Sequence, residues 1–148
     1  MVYHPDLTPF PYFSSGIYAK LPPLAVGWLS AAETFSTGET PETFQAKLLE
    51  LCADATIRHT LGYHFCEFCG NETQYVITVA QTAGKNLRLG NGEIWTIGKS
   101  ALYAAPTLIY HYVTAHEYRP PDDYIESVLA TGIDSAAYHD FLEHIENL

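Results

Sequence analysis

The chain has 148 residues, 47% hydrophobic and 16% charged, a globular composition long enough to bury one core and unlike that of a disordered segment. Seventeen acidic residues against seven basic ones leave a formal net charge of −10, which repels a phosphate backbone; this speaks against nucleic acid and favours a basic protein as partner. No run reaches the roughly 18 apolar residues that span a bilayer, and Met1–Asp6 has neither a basic start nor an apolar stretch behind it, so neither membrane nor export is expected.

Residues 1–30 hold Pro5, Pro9, Pro11, Pro22 and Pro23 together with three tyrosines. Proline removes backbone donors and restricts its neighbour, which predicts an extended segment laid over the core. Within it, 17–21 is expected as a short edge strand. Residues 25–29 are expected as a strand or a buried turn anchored by Trp28.

Thr40-Pro41-Glu42 reads as a helix start, with a hydroxyl cap, proline at the first helical position and an acid at the positive end. Phe44, Leu48, Leu51 and Cys52 follow at i, i+4, i+7 and i+8, one apolar stripe. Cys52 lies on that stripe, and free cysteine packs well, so it is read as core.

Residues 74–80 are rich in β-branched and aromatic side chains and read as a strand. A turn at 82–86, a short strand to Leu89, a break at Gly90-Asn91-Gly92 and an alternating strand over 93–97 continue a small antiparallel meander. After Gly98-Lys99-Ser100, residues 101–104 lead to Pro106, expected in the first turn of a helix that runs through His116 and is ended by Pro120-Pro121. Asp122-Asp123 opens a further helix with Tyr124, Ile125, Val128 and Leu129 inward, and Asp134-Ser135 caps a last one with Tyr138, Phe141, Leu142 and Ile145 inward. The expectation is a single α+β domain over 1–148: the extended segment 1–30, a metal-binding module at 62–118, and C-terminal helices over 120–148. A zinc-knuckle hairpin and meander would pack there against three to four helices.

The chemistry concentrates in His64-Phe65-Cys66-Glu67-Phe68-Cys69-Gly70. Two cysteines two residues apart, closed by a glycine that supplies positive φ, turn both thiolates toward one point. His111 and His116 follow, with 41 residues between Cys69 and His111. C-x2-C with H-x4-H has the ligand types and histidine spacing of a Zn2+ site, on a hairpin much longer than that of a simple finger. In a regular helix, residues five apart point about 140° away from each other, so the last turn must tighten or unwind to bring His116 round. His64 is a rival ligand, because in an alternating strand it shares a face with Cys66. Aromatic-rich packing of the histidines and a redox dithiol are the competing readings; no βαβ pattern places the cysteines at a helix N-terminus to lower a thiol pKa. Three cysteines, two of them too close for a typical structural bridge, suit a reducing cytoplasm.

A catalytic zinc would need an open position and a carboxylate base, and Glu67 and Glu117 are the candidates by adjacency. Neither H-E-x-x-H nor the deaminase pattern is present, since His116-Glu117 runs into Tyr118-Arg119-Pro120 and no proline precedes Cys66. The expected function is therefore a structural zinc protein acting through a protein partner, as an adaptor or an immunity-type neutraliser of a basic toxin. The alternative is a zinc-dependent hydrolase using Glu67 or Glu117.

Several stretches also resemble an uncharacterised family of small bacterial proteins: 26–29, 62–69, 90–94, 103–113 and 116–121, the third of these carrying Gly90-Asn91-Gly92-Glu93-Ile94. The resemblance covers most of the chain. It implies that the cysteine knuckle and the histidine helix belong to one module, and it implies no activity.

Overall fold

Burial is concentrated where one amphipathic helix lies beside a small sheet. The computed structural model describes residues 2–13, 15–69 and 76–148. In chain order these form α1 (Ile17–Lys20), β1 (Leu24–Ala25), α2 (Glu42–Asp54), β2 (Thr78–Thr82), β3 (Lys85–Leu89), β4 (Glu93–Ile97), β5 (Leu102–Pro106), α3 (Ile109–His116), α4 (Asp122–Ala130) and α5 (Ala136–Glu146). The architecture is α+β. Among the described residues no helix is long and apolar enough to cross a membrane.

The stripe on α2 is buried as expected: Phe44, Leu48, Leu51 and Cys52 all face the core, and α2 packs on α3, α4 and β4. The cap differs by one residue. Pro41 has extended ψ and its carbonyl accepts the first helical bond from Gln45 N–H, so proline itself is the N-cap. The Thr40 hydroxyl instead accepts from the Gln45 side-chain amide at 2.9 Å.

The expected edge strand at 17–21 is a helical turn, α1, with Leu21 N–H donating to Ile17 C=O at 2.7 Å. Two prolines follow at 22 and 23 and offer no ladder donors, so the first strand pairing comes only at β1. There Leu24 and Ala25 run parallel to Tyr103 and Ala104 of β5. Gly27 then turns the chain at φ 81°, its bare α-carbon against Ile109, and Trp28 is buried with its indole N–H donated to Ala104 C=O at 2.9 Å.

The strands do not form one continuous meander. β2 and β3 pair as one antiparallel hairpin and β4 and β5 as another, with β1 added to β5 in the second sheet. The break at Gly90-Asn91-Gly92 redirects the chain between sheets. The strand expected over 74–80 is β2, which begins at Thr78; Gln74 and Tyr75 lie outside the described residues, as does Gly70. Pro106 is the last residue of β5, paired opposite Glu93, and not in the first turn of α3. Proline at a strand end forfeits no interior ladder bond.

At the C-terminus, Tyr124, Ile125 and Val128 are buried on α4, whereas Leu129 is exposed. The place expected for Leu129 goes to Ser127, whose hydroxyl meets that of Thr96 on β4 at 2.8 Å. On α5, Ser135 accepts a capping bond from Tyr138 N–H, and Tyr138, Leu142 and Ile145 face inward. Phe141 is only partly buried, against Trp95 and Tyr138.

Candidate metal centre

Two chain segments distant in sequence meet at one point because both hang from the Gly90–Gly92 loop. Residues 57–64 run alongside it: Ile57 and Glu93 exchange both backbone bonds, Thr60 N–H donates to Asn91 C=O at 2.7 Å, and His64 N–H donates to Gly90 C=O at 2.8 Å. Glycine is required for this approach. A β-carbon on Gly90 would strike the His64 carbonyl, and one on Gly92 the Thr56 methyl. On the other side, Thr107 N–H donates to Gly92 C=O at 3.0 Å, while Gly90 N–H donates to the Thr107 hydroxyl at 2.9 Å. Thr107 lies four residues before His111, and His64 two before Cys66. The loop read from sequence only as a break in the meander is therefore the hinge pin of the site.

The knuckle itself is a turn through Glu67 and Phe68. Phe68 N–H donates to Cys66 Sγ at 3.3 Å, a bond that favours the thiolate. The Phe68 ring packs against Phe35, Tyr112 and His116 at centroid distances of 5.1, 5.7 and 5.6 Å. Phe68 thus fastens the knuckle to α3, a role its isolated position in the sequence does not reveal.

The end of α3 unwinds. Glu117, at φ 57°, donates its N–H to Tyr112 C=O, and Tyr118 N–H donates to the same carbonyl at 3.0 Å. An i→i−5 closure takes more residues per turn than the α-helix, so His116 comes round above His111. The two rings lie 4.9 Å apart and their Nε2 atoms 3.2 Å apart. The stop is made by Glu117, four residues before Pro121.

Cys66, Cys69, His111 and His116 each offer one ligand atom, and all four atoms lie within 4.8 Å of one another. Cys66 Sγ is 3.3 Å from His116 Nε2, and Cys69 Sγ is 3.3 Å from His111 Nε2 and 3.7 Å from His116 Nε2. A tetrahedral ion with Zn–S near 2.3 Å and Zn–N near 2.05 Å would space its ligands about 3.5 Å apart for S···N and about 3.3 Å for N···N. The separations Cys66–His116, Cys69–His111, Cys69–His116 and His111–His116 match that spacing and the whole set lies within 4.8 Å, so the four could hold a metal ion with thiolate and imidazole ligands. Burial holds both imidazoles below their usual pKa, with His116 adding to the effect at His111, which leaves them neutral and able to ligate. Burial also pushes the Cys66 thiol up to about 11, opposed by the Phe68 N–H. Without a cation beside it this is an inert thiol, unlike an activated redox cysteine.

The remaining candidates stand elsewhere. His64 is not in the group; it lines a separate cavity together with Arg58 and Glu93. Cys52 is buried on the inner face of α2, its thiol directed at Thr107 C=O, and burial lifts its pKa to about 12. Glu67 is exposed and accepts from Ala31 N–H at 3.2 Å, and Glu117 is exposed at the helix end; neither carboxylate belongs to the group of four.

A family model described as "Domain of unknown function (DUF7919)" matches residues 2–129, and the chain belongs to that family. The match spans the knuckle, α3 and most of α4. No curated protein and no solved structure matches the chain.

Proposed function

We propose that in this DUF7919 member Cys66, Cys69, His111 and His116 hold one Zn2+ in a closed structural site, and that the protein works in the cytoplasm by binding a basic protein partner. The observation that supports the first half is the convergence within 4.8 Å of four protein donors on two segments that share no secondary structure, with four of their separations at the spacing of a tetrahedral ion. Four protein ligands leave no position for water, the arrangement of structural rather than catalytic zinc. The ion would weld the knuckle to α3, and binding free energy on the order of 10 kcal/mol is typical where such a site forms only on folding.

The partner half rests on charge. A net −10 on 148 residues attracts cations over several ångströms and speeds encounter with a basic surface. An adaptor, or an immunity-type protein that neutralises a basic toxin, has this character. The hydrolase reading requires an oxygen on the metal and Glu67 or Glu117 as base, and a complete set of S and N donors works against it.

The test is metal content of the purified protein together with X-ray absorption at the zinc edge. One zinc per chain with two sulfurs and two nitrogens is expected. A bound oxygen with fewer protein ligands would transfer the argument to the hydrolase, and the lack of any tightly bound metal would refute the zinc site.

A further inference from the structure

A cavity of about 290 Å³ opens between the N-terminal segment and the 57–64 run. Its walls include Phe10, Tyr12 and Trp28, the first and last stacked at 5.1 Å. Arg58 and Glu93 reach in from the other side.

Arg58 is held in an unusual way. Its backbone is left-handed, at φ 54°, which for a long side chain costs free energy and often marks a functional position. Its guanidinium carbon sits 5.0 Å from the Phe13 ring centre. Nε lies 2.9 Å from Glu93 Oε1, yet its N–H is not directed at that oxygen, and the buried nitrogen has no hydrogen-bond partner among the described residues. The same Glu93 oxygen accepts from Trp95 Nε1–H at 3.0 Å. A guanidinium carries five donors in a planar fork, and leaving a buried one unmet is costly.

We propose that this cavity binds a small planar aromatic carboxylate, its ring against Phe10, Tyr12 and Trp28 and its carboxylate on the Arg58 fork. The guanidinium repels a cationic ligand. A neutral ring without an acceptor would leave the fork unmet. Glu93 already pairs with Arg58 at 2.9 Å and Glu146 accepts from the Arg58 backbone N–H, so a phosphate dianion is repelled there more strongly than a carboxylate, which adds one charge and offers an acceptor to the buried Nε–H. The wall chemistry selects the ring, since aromatic faces stack on aromatic faces. This goes beyond the zinc reading and shares no ligand residue with it.

Two indole N–H groups report on the two ends of the cavity, Trp28 at the aromatic wall and Trp95 bonded to Glu93. Titrating the full-length protein with benzoate should shift both indole signals saturably in 1H–15N spectra, with Kd near or below about 1 mM. Benzamide, the same ring without the charge, should bind about tenfold more weakly or worse. Arg58→Gln should lower benzoate affinity to the benzamide level. Tyr12→Ala, at a half-exposed wall position outside the core, should weaken benzoate and benzamide alike. No saturable shift with benzoate, equal binding of benzamide, tighter binding of phenyl phosphate, or unchanged affinity in either variant would overturn the proposal.

Discussion

Replacing one ligand tests both the metal and its structural weight. In Cys66→Ser the hydroxyl is a poor zinc ligand, so three of the four convergent donors remain and affinity collapses. At free zinc about 1,000 times Kd, metal bound only by the folded chain adds about 4 kcal/mol of stability. For a chain of this size each kcal/mol moves the melting temperature by about 2–4 °C, so the loss should be about 8–16 °C. The fold itself should survive. Phe44, Leu48, Ile94, Trp95, Tyr124 and Val128 are buried on α2, β4 and α4 without help from the knuckle, so the loss of fold that a minimal finger would suffer is not expected. The assay is thermal unfolding by circular dichroism of zinc-loaded wild type and variant, each with and without chelator. Chelation should bring the wild type down to the variant and leave the variant unmoved. A Cys66→Ser protein that melts with the wild type in excess zinc would refute the reasoning.

Three further outcomes concern residues away from the ligands. Gly27→Ala places a β-carbon at φ 81° within 2.8 Å of the Ile109 side chain, and urea unfolding should show a loss of about 2–4 kcal/mol; a loss below the error of the titration would mean that Ile109 yields freely. The Tyr124 hydroxyl is buried with no hydrogen-bond partner among the described residues, so Tyr124→Phe should raise stability by about 1 kcal/mol, and a destabilised variant would point to an acceptor bonded to that hydroxyl. His4, buried among Phe10, Tyr12 and Trp28, is held below its usual pKa of 6.5 by burial. The unfolded chain therefore takes up that proton first, so stability present above about pH 6.5 is lost as pH falls toward the folded value. Relative to wild type, His4→Asn should flatten this part of the pH–stability curve, and parallel curves would remove His4 from the account.

Local pattern carried much of this molecule. The stripe of Phe44, Leu48, Leu51 and Cys52, the strand over Glu93–Ile97 and the Ser135 cap are short-range features, decided by residues within a turn or two of each other, and each is found at its expected place, although the strand buries Ile94, Trp95 and Thr96 in succession and does not alternate. The readings that shifted involve prolines and strand partners. Pro41 and Pro106 sit where a local rule allows two answers, and the neighbouring ladder or helix bond chose between them. Residues 17–21 could not be read correctly as a strand or a turn without knowing that β5 takes its parallel partner at Leu24.

The ligand types were likewise written in the chain, because thiolate and imidazole are properties of single side chains. Sequence alone left His64 and the two helical histidines in competition, and left the 140° mismatch between His111 and His116 unresolved. The tertiary structure decided both. The widened last turn of α3 aligns the imidazoles, and the backbone bonds of Gly90 and Gly92 to His64 and Thr107 bring knuckle and helix together, with His64 outside the ligand group and lining the Arg58 cavity. That cavity had no signature in the sequence, since Phe10, Trp28, Arg58 and Glu93 are scattered over more than half the chain and meet only through long-range hydrogen bonds and packing.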